Sequence, residues 1–237
     1  MPLAMAEQNP RGRWALLAGI AALVAVALGA FFLLYKPAPP PAPAPADQTQ
    51  IADDAEVSAP KGCTLNPGDG IGGAINLVDQ SGEAITQEHF SEGPTLIYFG
   101  YTFCPDVCPL ALQMEKKALA ELGQEGGIIQ PVFISLDPAR DTPEQMAQYV
   151  SSDAFTPGLV GLTGSEAQVA AAAKAFRVFW QKEEAKDSAA KYLIGHSSYF
   201  YLMDEEWKPK AVFPSTFSPS DAAQCIKAAL QTPGAPG

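Results

Sequence analysis

Two cysteines with three residues between them, in Cys104-Pro105-Asp106-Val107-Cys108, follow the apolar run Thr95-Leu96-Ile97-Tyr98-Phe99 and precede Pro109, where a helical pattern begins. A proline inside a helix clashes with the carbonyl four residues back, so Pro109 belongs in a first turn and Cys104 to Val107 form the loop leading in. Both sulfurs then lie at a helix N-terminus, where unpaired N–H groups and the positive dipole end favour thiolate over thiol. The pair is expected to be exposed and more reactive than ordinary cysteine. Far downstream, His196 stands in Gly195-His196-Ser197-Ser198, just before the apolar run Tyr199 to Met203. Two thiolates and an imidazole are a soft donor set, suited to Cu(I) or zinc rather than to hard cations. A lone histidine is more often structural, but these cysteines favour ligation, and His89 is its only competitor. Asp106 is open to two roles, as an oxygen ligand to Cu(II) or as a cap of backbone N–H groups. Asp137, Arg140 and Asp141 read as a turn-and-cap network with one ion pair. Tyr98 and Phe99 belong to a core strand, while Tyr101 and Phe103 rim the site, shielding a metal or facing a partner.

The elements that must position these residues follow from pattern and punctuation. A hairpin comes first, Ile75 to Val78 and Ala84 to Thr86 around Asp79-Gln80-Ser81-Gly82. After the cysteine loop a helix from Pro109 to Leu122 places Leu112, Leu119 and Leu122 on one face, and Gly123 and Gly126-Gly127 stop it. Pro131 to Leu136 is a buried strand, and Thr142-Pro143-Glu144-Gln145 opens a helix to Val150 with the capping-box order. A strand-helix unit follows, Leu159 to Leu162 and then Ser165 toward Phe176. Lys182 to Lys191 is expected as a charged loop, before a hairpin of Tyr199–Met203 and Ala211–Phe213 and a closing helix, Pro219 to Leu230. This order describes an α/β thioredoxin-like sandwich with an N-terminal β-hairpin and an inserted strand-helix unit. Its redox or ligand site lies beyond the carboxyl end of the first central strand.

The rest of the chain sets the compartment. Trp14 to Tyr35 is 22 apolar residues without a break, enough to span roughly 30 Å of hydrocarbon. Arg11 and Arg13 precede it and only Lys36 follows closely, which puts residues 1–13 in the cytoplasm and the folded part outside, in the periplasm. An uncleaved transmembrane anchor over 14–35 and a Pro/Ala-rich, then acidic, linker over 36–59 carry the domain at 60–237. Fifteen basic against 26 acidic residues leave a net charge of −11, so nucleic acid is excluded as a partner on electrostatic grounds. Cys63 and Cys225 complete the four cysteines. In an oxidising compartment they suggest a bridge, but Cys225 among Ala222, Ala223 and Ile226 reads equally as a buried small hydrophobe.

Three segments resemble one known family. Tyr98 through Pro109, Phe133-Ile134-Ser135-Leu136-Asp137-Pro138-Ala139-Arg140-Asp141-Thr142-Pro143, and His196-Ser197-Ser198 with Tyr201-Leu202-Met203-Asp204 are similar to the motifs of the Sco (SenC/PrrC) family. The resemblance covers Gly68 to Leu230 and the anchor. It implies a membrane-anchored copper metallochaperone that serves the dinuclear copper site of cytochrome c oxidase, with Cys104, Cys108 and His196 holding one copper per chain, as Cu(I), Cu(II) or both. Implied partners are the copper-bearing oxidase subunit and a thiol reductant protein. Gly195 departs from the family, which often has an acidic residue there. Two other functions compete with copper delivery: a thiol-disulfide oxidoreductase using Cys104 and Cys108, and a redox sensor. Thiol exchange needs no histidine, which favours copper. A thiol peroxidase is disfavoured, since no arginine lies near the cysteines in sequence.

Overall fold

In the computed structural model, residues 58–68, 70–185 and 190–233 are described, all within the second of the chain's two units, Ala55–Gly237. The expected anchor at 14–35 and nearly all of the linker lie outside them. Among the described residues no helix is long and apolar enough to cross a membrane.

The strand that ends at the cysteine loop is the centre of the fold. β4 (Thr95–Gly100) is buried along its whole length, because both of its faces are covered. Tyr98 stacks on Phe200, with centroids 4.8 Å apart, while Phe99, pointing the other way, packs on Phe176 at 5.3 Å. Burying such side chains contributes about 1.5–3 kcal/mol each. The other strands are β1 (Thr64–Leu65), β2 (Asn76–Asp79), β3 (Ala84–Thr86), β5 (Gln130–Ser135), β6 (Val160–Thr163), β7 (Trp180–Ala185), β8 (Lys191–His196), β9 (Tyr199–Met203) and β10 (Pro209–Pro214). Together with β4, seven of these form one eight-stranded sheet in the order β1-β10-β9-β4-β5-β6-β2-β3. β4 is parallel to β5 and antiparallel to β9.

The helices are α1 (Val107–Glu121), α2 (Gln124–Gly127), α3 (Pro143–Val150), α4 (Glu166–Ala175) and α5 (Pro219–Gln231). Their starts follow the sequence signals. Thr142 accepts from the Gln145 N–H ahead of Pro143, and Ser165 and Gln168 form a reciprocal capping box. The architecture is the expected mixed α/β thioredoxin-like fold with an N-terminal hairpin and the inserted β6–α4 unit.

Three expectations are corrected. α1 begins at Val107 and takes Cys108 into its first turn, since proline is tolerated anywhere in that turn and not only at its first position. The short helix α2 stands where glycines were expected only to stop α1. Of the stretch expected as a charged loop, Lys182 to Ala185 and Lys191 are strand: β7 and β8 pair as an antiparallel two-stranded ribbon, outside the main sheet, with Trp180 opposite His196 and Gln181 opposite Gly195. A ribbon with most of β7 in solvent can carry Lys182, Glu183 and Glu184 in sequence, so it lacks the apolar alternation by which strands are recognised.

Candidate metal centre

Gly100, Cys104 and α1 create the site together. Leaving β4, the chain turns at Tyr101, whose carbonyl accepts the Cys104 N–H at 3.2 Å. Gly100 has no side chain for a reason: a Cβ there would lie 2.8 Å from the Cys108 sulfur and 2.8 Å from the Phe133 ring. The Cys108 sulfur thereby packs against the end of the strand.

The two cysteines are not equivalent, contrary to the sequence expectation of an exposed pair. Cys108 is fully buried and Cys104 partly exposed. The Cys108 S–H donates to the Cys104 sulfur, and the Cys108 and Asp106 N–H groups add to it, which lowers Cys104 to about 5 despite its burial. The same contact raises Cys108 far above the ordinary thiol range, with burial adding to the effect. The helix start thus activates one sulfur, and the other pays for it by keeping its proton.

His196, at the end of β8, reaches this pair. Its Nδ1 lies 3.0 Å from the Ser197 carbonyl oxygen, which can only accept, so Nδ1 carries the proton. The lone pair of Nε2 is left facing Cys108, whose sulfur is 3.6 Å away. Tyr98 and Tyr101 meet the imidazole edge-on, each with centroids 6.2 Å away. The Tyr98 hydroxyl bonds Ser198 Oγ at 2.7 Å and also touches the Cys108 thiol, and burial raises it well above the phenol range. Among the described residues no three His, Cys, Asp or Glu side chains already stand at metal-holding distances.

The remaining sequence candidates fall as follows. Asp106 precedes α1 and is exposed, and its side chain accepts no capping hydrogen bond. Phe103 is 46% exposed, whereas Tyr101 is 3% exposed and hence a wall of the site rather than a face for a partner. The turn-and-cap network exists: Asp141 accepts from Thr102 N (3.0 Å), Thr102 Oγ1 (2.6 Å) and Ser135 Oγ (2.6 Å), and Arg140 forms the ion pair with Asp137. An arginine does stand near the cysteines in space, since Arg140 lies over the Phe103 ring at 4.8 Å. Sequence distance hid it. At Gly195 a Cβ would meet Glu183 Oε1 at 2.6 Å. The neighbouring strand therefore lays a carboxylate over this residue, on the ribbon face opposite His196. Cys63 and Cys225 are disulfide-bonded across 162 positions, with Cα atoms 5.7 Å apart.

Known proteins are similar to this chain in sequence and fold. The SCO1/SenC family model matches residues 64–231. The chain belongs to the SCO1/SenC family. Protein sco1 of Schizosaccharomyces pombe is 40% identical over 158 residues, covering 66% of this chain and 59% of that protein. The match thus spans less than two thirds of that relative's length. Protein SenC of Rhodobacter capsulatus is 37% identical over 167 residues, 69% of this chain and 74% of its own. Among solved structures, Arabidopsis thaliana ScoI with copper bound superposes with a TM-score of 0.63 at 34% identity, covering 68% of this chain and 98% of that one.

Proposed function

We propose that this Sco-family domain takes one copper ion as cargo through Cys104, Cys108 and His196 and delivers it to the copper-bearing subunit of cytochrome c oxidase during assembly. The observation that carries this is the approach of His196 Nε2, its lone pair directed at the Cys108 sulfur, at 3.6 Å. Thiol exchange has no use for an imidazole whose tautomer is preset for ligation, whereas a soft ion has. Cys104 already favours thiolate, and Cys108 would lose its proton to the ion on binding. The family serves copper assembly of cytochrome c oxidase, and a close structural relative holds copper. Asp106, exposed beside the pair, is available as an added oxygen ligand for Cu(II).

The test is metal analysis of the reduced full-length protein after exposure to copper and to zinc, for the native chain and for His196→Ala. One copper per native chain, with weakened binding or an altered spectrum in the variant, is expected. Equal affinity and identical spectra would remove His196 from the site.

The asymmetry of the cysteines supports a second reading. A low-pKa, accessible Cys104 beside a shielded Cys108 suits a thiol-disulfide oxidoreductase acting on the acceptor's cysteines. Disulfide reduction by the metal-free protein, unchanged in His196→Ala, would favour it. Residues 14–35 are proposed as a single-pass anchor in the inner membrane, with this domain in the periplasm and the Pro/Ala spacer raising its effective concentration near a membrane-embedded acceptor. A form lacking Met1 to Ala46 should bind copper as tightly as the full chain yet support oxidase assembly poorly at matched, low abundance. Full rescue would show that the anchor is dispensable.

A further inference from the structure

His196 rides on a ribbon that, among the described residues, pairs with no strand of the main sheet, so side-chain contacts contribute strongly to its seating on the domain. Arg140, on the loop between β5 and α3, supplies much of it. Its Nη1 donates to the carbonyl oxygens of Ala190 (2.8 Å) and Tyr192 (3.2 Å). Its Cζ lies 3.8 Å from the centroid of the Tyr192 ring. Nε pairs with Asp137, and the other oxygen of that carboxylate accepts the Tyr192 hydroxyl at 2.7 Å. On the cysteine side the same guanidinium covers the rings of Phe103, at 4.8 Å, and Tyr101, at 5.9 Å. The Arg140 side chain is only 16% exposed. The next residue, Asp141, holds Thr102 by both backbone and hydroxyl.

One loop thus grips both halves of the site, the Cys104 loop through rings and the ribbon through carbonyls and a ring. Only a planar fork with several donors can stack on aromatic faces while bonding in plane to carbonyls and a carboxylate. We propose that Arg140 is a positioning residue that fixes the His196 ribbon against the Cys104 loop and thereby sets the spacing between imidazole and thiolates. Its consequence for copper rests on the function proposed above; its consequence for the ribbon does not.

The experiment uses the full-length chain in detergent, reduced and metal-free, and compares native protein with Arg140→Met and Arg140→Lys by amide hydrogen exchange. Exchange at Lys191 to His196 should rise by at least about tenfold in both variants, the size expected when hydrogen bonds from a charged group are lost, while amides of β4 and β5 stay as protected as in the native chain. Lysine keeps the charge but loses the fork and the stack, so full protection in Arg140→Lys would overturn the geometric role. Unchanged protection of the ribbon in Arg140→Met would overturn the proposal outright. Should Arg140→Met fail to fold, Tyr192→Phe decides: removing one hydroxyl should loosen the same amides severalfold, and no change there would also overturn it. With copper added, both Arg140 variants should release the ion faster to a competing chelator and shift its thiolate absorption toward that of His196→Ala. Native spectra and release rates in both would overturn the link to donor spacing, whereas failure of the native chain to take up copper would sink the copper reading and leave the exchange result to judge the clamp.

Discussion

The Cys108 sulfur lies 3.6 Å from Nε2 of His196 across 88 positions of sequence. One group comes from the first turn of α1 and the other from the end of β8, so the contact exists only once the ribbon folds back over the cysteine loop. It joins a protonated, buried thiol to an imidazole nitrogen whose lone pair points at the sulfur.

Cys104 should titrate far below an ordinary thiol. In the reduced, metal-free protein its alkylation rate should follow the thiolate fraction, high above about pH 5 and falling as the pH drops through that value. Cys108→Ala removes the S–H that contributes most to this shift, so its midpoint should move back up. A midpoint of about 8.5 in the native protein, the value of a free cysteine, would contradict the geometry.

On the copper reading, oxidation should block loading. A disulfide between Cys104 and Cys108 would consume both thiolates, so oxidised protein should take up little copper and recover its capacity on reduction. Stoichiometric loading of demonstrably oxidised protein would count against it.

The Cys63–Cys225 bridge should carry much of the domain's stability. It closes a loop with a sequence separation of 162, which the chain-entropy model values at up to roughly 4–5 kcal/mol. Urea unfolding of Cys63→Ser combined with Cys225→Ala should show a loss of this order. A loss under about 1 kcal/mol would mean that the unfolded chain is not much constrained by the bridge.

Glu115 should make stability fall toward alkaline pH. It is fully buried on α1, both carboxyl oxygens lack a hydrogen-bond partner among the described residues, and burial raises its pKa well above the carboxylate range. The folded state therefore holds a proton that the unfolded state has already lost. This group's contribution is intact below the ordinary glutamate pKa and declines as pH rises toward the folded value, by up to about 1.4 kcal/mol per pH unit. Glu115→Met should remove that slope, so its advantage over the native chain grows between pH 5 and pH 8. Parallel stability curves across that range would refute the assignment.

Much of this protein was legible in local pattern. Thr95–Phe99 reads as a buried strand because its residues are almost all large and hydrophobic, and Ser165-Glu166-Ala167-Gln168 announces a helix because its two side chains satisfy each other's backbone donors. The residues proposed as donors were legible as candidates, since sulfur beside a helix start and an imidazole before a strand are unusual enough to be noticed singly. What tertiary structure alone decided are quantities set by neighbours remote in sequence. Burial of Cys108 against Gly100 and Tyr98 separated two thiols that a shared helix start would have made alike. Pairing of β7 with β8 turned a charged stretch into the ribbon that delivers His196, which charge pattern could not reveal because most of β7 faces water. Proximity settled the Cys63–Cys225 bridge, and the enclosure of Glu115 had no mark in Met114-Glu115-Lys116-Lys117. Spacing along a chain specifies which groups are near a turn or a cap, within about one helical turn; the desolvation and long-range contacts that set a thiol's pKa or seat an arginine depend on where the chain returns.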